Sequence, residues 1–166
     1  MANFCGTLLF FLSLIASFAQ TTTLPSEDIA QLIPDRLKGF HLDGEAKARM
    51  VTLGTIRYSL SEKSFVTGSN KHIKILLFDF KEAPIMYAQA TRKFNAFTPI
   101  ESDSLVLRSL SMTNCTGWET YNSTNNSSQI AIGVCDRFFL TAEGTNVNLD
   151  VLKQLVRQIE FENFPR

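Results

Sequence analysis

The sequence predicts an α+β domain: a mainly antiparallel sheet of about seven strands with two principal helices, in the order β-β-β-α-β-β-β-β-α, and an α/β/α sandwich as its fullest form. Three observations predict it. The stretch Lys71-His-Ile-Lys-Ile-Leu-Leu-Phe-Asp-Phe80 is rich in isoleucine and phenylalanine and reads as a central strand buried on both faces. It runs straight into a segment with apolar residues at helical spacing, Met86, Ala90 and Phe94, with Phe97 close behind. The region after it breaks into short alternating runs, and an amphipathic segment closes the chain.

Length and charge narrow the class. At 166 residues the chain is one domain large enough to bury a core without metal. Sixteen basic residues balance sixteen acidic ones with no block of like charge, so the footprint of a nucleic-acid binder is missing. Fourteen phenylalanines, several in alternating runs, favour sheet packing.

The first residues read as an address. Phe4 to Phe18 is almost wholly apolar and uncharged, and ends in Ala16-Ser17-Phe18-Ala19. This is the pattern of a secretory signal peptide over 1–19, cut after Ala19, and it falls short of the roughly twenty residues that span a bilayer. The mature protein is then exported, periplasmic or secreted, with no stable membrane span after cleavage.

The mature chain is expected to open with a linker over 20–35, containing a short turn through Ile29, Leu32 and Ile33, followed by a single domain over 36–166. Phe40 to Glu45 alternates as an edge strand, with His41, Asp43 and Glu45 on one face. Val51 and Leu53 alternate up to Gly54, and Ile56, Tyr58 and Leu60 alternate beyond it in the opposite phase; a glycine at such a phase change suggests a β-bulge. Residues 61–70 supply a turn. Pro84 suits the first position of the helix, which should reach about Asn95. Strands follow over 104–112, 115–121, 129–134 and 137–142. Residues 122–128 form a polar loop. Asn148 is a good N-cap for the last helix, whose buried stripe is Leu149, Leu152, Val156 and Ile159, while Asp150, Lys153, Gln154 and Arg157 face water. Apolar residues of both parities in the strands ask for cover on both faces, which places the two helices on opposite sides.

The opening Ile33-Pro-Asp-Arg-Leu-Lys-Gly-Phe40, the strand through Tyr58, the Phe78-Asp-Phe80 strand with its helix, and the closing Leu149-Asp-Val-Leu-Lys153 resemble small secreted proteins of Gram-negative bacteria of the Bacteroidota type. The element order is similar to the Mog1/PsbP-like fold. That resemblance implies an accessory or binding protein rather than an enzyme.

Several residues could carry chemistry. With a hairpin centred on Asn125, Cys115 and Cys135 would be cross-strand neighbours, and in an oxidising compartment a disulfide between them would stabilise the fold by roughly 3 kcal/mol. Asp79 is a carboxylate near the end of an apolar strand and needs a partner. His41 and Glu45 could form half of an acid/base site. No cysteine and histidine cluster completes a metal site, no cofactor motif is present, and no nucleophile elbow or phosphate loop is found. Asn114-Cys-Thr116, Asn122-Ser-Thr124, Asn125-Asn-Ser127 and Asn126-Ser-Ser128 match the glycosylation acceptor pattern, but read here as a polar hairpin tip. The expectation is an exported, non-enzymatic domain that binds an unknown protein or small ligand of the envelope. The alternative is a small hydrolase-like enzyme using Asp79 or the His41/Glu45 face.

Overall fold

A computed structural model describes residues 22–166 except 69, 97 and 114. The segment read as a signal peptide and the helix position of Phe97 lie outside the described residues. The elements run α1 (Ser26–Gln31), β1 (Arg36–Leu37), β2 (Phe40–Leu42), β3 (Lys47–Leu53), β4 (Ile56–Thr67), β5 (Lys71–Asp79), α2 (Pro84–Thr91), β6 (Ile100–Glu101), β7 (Leu105–Met112), β8 (Cys115–Asn122), β9 (Ser127–Val134), β10 (Phe138–Thr145) and α3 (Leu149–Val156). Short 3-10 turns follow α2, at Arg92–Asn95, and α3, at Phe161–Asn163.

All ten strands join one antiparallel sheet in the order β1-β2-β4-β5-β10-β9-β8-β7-β6, with β3 also on β4. The α+β class fits, but the expected count of about seven strands and two principal helices does not. Ten strands and three short helices stand among the described residues. Two local features account for much of the difference. Gly54 adopts a φ of +61° and Leu53 pairs with Ile56, so the phase change marks a two-residue hairpin between β3 and β4 rather than a bulge within one strand. The residues given to a turn over 61–70 instead continue β4 to Thr67, because Phe65 and Val66 pair with β5 and β2.

One face of the sheet carries the core. Ile73, Ile75 and Leu77 of β5, Ile130, Ile132 and Val134 of β9, and Phe138, Leu140 and Ala142 of β10 are buried there. The stripe Leu149, Leu152, Leu155 and Val156 of α3 covers β8, β9 and β10, and the Asn148 side chain caps the helix by accepting from the Val151 N–H at 2.9 Å. On the same face α1 covers β3, β4 and β5, with Ile29 fully buried. The inward side chains of β4 under it include Ser59 and Ser61, small enough to let the helix approach. The stretch expected as a linker is therefore, from Thr22 on, part of the domain: Thr23, Leu24, Ile29 and Ile33 are buried.

The second face is covered by α2 and the turn after it, above Gly133 and Phe139. Helices thus lie on both faces, as the two-parity pattern required. Alternation in β5 is sharper than expected. Its odd residues from Ile73 on are buried, while His72 and Lys74 of the other parity are exposed and Leu76 and Phe78 are half-buried. Tyr58, Phe80, Phe78, Phe139 and Phe94 run along this second face with successive ring centroids 5.4–6.2 Å apart.

Candidate functional site

Asp79 ends β5 on the core face and is fully buried. Its carboxylate accepts from Arg137 Nε at 2.8 Å and Arg137 Nη2 at 2.6 Å, and from the backbone N–H groups of Leu24 at 2.7 Å and Lys81 at 3.0 Å. Both carboxylate oxygens are thus engaged. Arg137, 2% exposed, also donates to the carbonyl oxygens of Thr22 and Arg166 and stacks its guanidinium 4.8 Å from the Phe138 ring. This pair joins the strand end, the first described residues and the last residue. A carboxylate tied to four donors serves as a structural clamp rather than as a free acid or base.

A second contact completes that strap. The Thr23 N–H donates to Glu82 Oε2 at 3.1 Å, and the Glu82 N–H donates to the Thr23 hydroxyl at 3.3 Å. The bond from the Thr23 backbone, then that from its side chain, holds the Glu82 carboxyl below its ordinary value of 4.5.

His41 and Glu45 are not brought together on one strand face. His41 is exposed on β2, which ends at Leu42. Gly44, at a φ of +79°, bends the chain, and Glu45 lies exposed in the loop before β3. Asp43 is exposed, and its N–H is held by the Ser64 carbonyl at 2.8 Å.

Two buried polar groups had no clear signal in sequence. Lys63 is 3% exposed and donates at 2.6 Å both to the Ile33 carbonyl and to Asp35 Oδ1, fastening the end of α1. Glu119, 2% exposed, pairs with Arg108 across β7 and β8 and has Lys153 Nζ at 3.4 Å. Lys153 thus turns inward instead of facing water, and the bond to Glu119 holds the Arg108 guanidinium above its ordinary range.

Open space gathers at one end of the sheet, around the turn between β9 and β10. Val134 to Arg137 is a type I′ turn closed by the Arg137 N–H on the Val134 carbonyl at 3.2 Å, with Cys135 at φ +55° and Asp136 at φ +50°. Left-handed geometry at a cysteine is costly and is held here by the strands on either side. A cavity of about 690 Å³ adjoins two others, of about 360 and 370 Å³, that are lined by Cys135 and Asp136 of this turn. The first two share Phe161 and Glu162, the last two share Cys135 and Asp136, and the first and third share Met112.

Cys115 pairs in register with Val134, not Cys135, so the hairpin centre sits half a residue before Asn125 and the expected cross-strand cysteine pair is shifted by one. Both thiols are free. Burial, with Cys135 adding to it, pushes the Cys115 thiol up to about 11. On the far wall, Tyr87 of α2 reaches the turn. Burial pushes its phenol up to about 12, and the Asp136 charge and hydrogen bond add to the shift. Gly133 leaves room beneath it, since a Cβ there would lie 2.6 Å from the Tyr87 hydroxyl oxygen and the ring would have to shift.

No group of three histidine, cysteine, aspartate or glutamate residues is arranged to hold a metal among the described residues, and no described helix is long and apolar enough to cross a membrane. No protein-family model, curated protein or solved structure matches the chain.

Proposed function

We propose that the chain is an exported, non-enzymatic binding domain whose working surface is the cleft around the Cys135–Asp136 turn. The observation that carries this reading is that two cavities are lined by one turn held in left-handed geometry by non-glycine residues, with a larger cavity adjoining both. The buried acid and base of highest chemical interest, Asp79 and Arg137, are engaged in holding the chain ends. Export follows from the apolar leader over 1–19, and the accessory role from the resemblance to small secreted proteins.

The test is retention of partners or small ligands from a native envelope extract by the mature chain, residues 20–166, compared with its Asp136→Arg and His41→Ala variants. A retained species that is lost with Asp136→Arg and kept with His41→Ala supports the cleft. Retention indifferent to Asp136→Arg, or turnover of ester, glycoside or phosphate substrates that disappears in His41→Ala, contradicts it.

A further inference from the structure

We propose that Met112, Cys115 and Cys135 form a three-sulfur site for a soft monovalent cation of the copper(I) type. This rests on the cleft reading above and names its ligand class. Register brings the three together. Met112 and Cys115 are Cα partners at the end of the β7–β8 pair, where side chains directly opposite share a face. Cys115 is in turn the partner of Val134, and Cys135 is the next residue along. All three side chains pack at the same margin of the core, and all three line the cavity of about 370 Å³.

The donor set selects the metal. Two thiolates and a thioether are soft ligands, which suit copper(I) at low coordination number and suit magnesium or calcium poorly. Structural zinc asks for four nitrogen or sulfur ligands, and the described residues offer no third histidine, cysteine or carboxylate in position. Leu110, Val134 and Phe161 belong to the core with which the three sulfur side chains pack, and Tyr87, Ser111, Thr116, Gly133 and Asp136 complete the cavity lining. Cys135 stands in the turn at φ +55°, and its side chain lines the same cavity as Met112 and Cys115.

Binding exchanges protons for metal without electron transfer. One copper(I) ion and two thiols give a bis-thiolate complex and release two protons, with the Met112 sulfur completing the coordination. Because binding releases these protons, copper competes with them for the sulfurs.

The experiment is an anaerobic titration of the reduced mature chain with copper(I) against a chromophoric copper(I) chelator, with X-ray absorption of the loaded protein. Stoichiometric copper retained in an all-sulfur environment is expected. Met112→Leu, which keeps the volume, should weaken retention at least roughly tenfold. Cys135→Ser should abolish it, His41→Ala should leave it unchanged, and circular dichroism checks that each variant is folded. Copper surrendered entirely to the chelator, nitrogen or oxygen ligation, or cysteines found joined in a disulfide in the purified exported protein overturns the proposal. If copper is surrendered while the extract still supplies a species whose retention depends on Asp136, the cleft reading stands and only the metal inference falls. If neither copper nor any species is held at the cleft, both fall.

Discussion

Asp79 and Arg137 form a two-pronged ion pair inside the core, 0% and 2% exposed, at the point where β5, the β9–β10 turn and both described ends of the chain meet. Its consequence is architectural. The pair ties Thr22 and Arg166 to the central strands, which is why the first described residues behave as part of the domain.

Arg137→Ala should therefore destabilise the fold by roughly 3–5 kcal/mol, because it strands a buried carboxylate. Asp79→Asn with Arg137→Met should cost less than the sum of the two single changes, since the partner left behind carries much of each single penalty. Urea denaturation of the three variants reads this directly; additive losses would show that the two residues act independently.

The Thr23–Glu82 contact gives the strap a pH dependence. The Glu82 carboxyl is lowered in the fold, so its contribution is present above the unfolded value of 4.5 and is lost as pH falls through the lower folded value. Amide exchange at Thr23 should accelerate in that acid range before the core strands open. Glu82→Gln should flatten the dependence.

The two thiols should differ in reactivity. Cys115 stays protonated until about pH 11, so at pH 8 an alkylating reagent should label Cys135 well before Cys115. Global stability should be undiminished by Cys115 below its ordinary value of 9.0 and fall as pH rises from there towards 11. Peptide mapping after timed alkylation gives the order of labelling.

Gly133→Ala should push Tyr87 off the sheet and destabilise α2 by about 1–3 kcal/mol, since the added methyl meets the phenol oxygen at 2.6 Å. Adding Tyr87→Phe removes that oxygen and should recover part of the loss. Thermal melts of the single and double variants check it, and no recovery would place the clash with Phe94 or Thr91 instead.

Much of this fold was legible in sequence where one parity of a strand is apolar. The Asn148 cap and the α3 stripe follow from periodicity and local chemistry alone, and the position of β5 from its composition, although that composition suggested burial on both faces and only the Ile73, Ile75 and Leu77 row is fully buried. Where inward residues are polar, periodicity misleads. Ser59, Ser61 and Lys63 occupy the core side of β4, so Tyr58 and Leu60 advertise the wrong face, and the strand is cut short on paper. Pairings distant in sequence are also silent: nothing near Asp79 announces Arg137, and nothing near Glu119 announces Lys153. The cysteine cluster was half legible, since spacing placed both thiols at one end of the sheet but missed the register by one residue.

Whether the cleft around Cys135 and Asp136 is the working surface is read by an NMR titration of the isotope-labelled chain over residues 20–166 with the fraction of envelope extract that it retains. Shifts confined to Met112, Cys115, Thr116, Cys135, Asp136 and Phe161 are expected, with His41 and the β3–β4 hairpin unmoved. Shifts centred on His41, on the hairpin tip at Leu53 and Ile56, or on the rings of Tyr58 and Phe80 would contradict it and move the working surface to another part of the sheet.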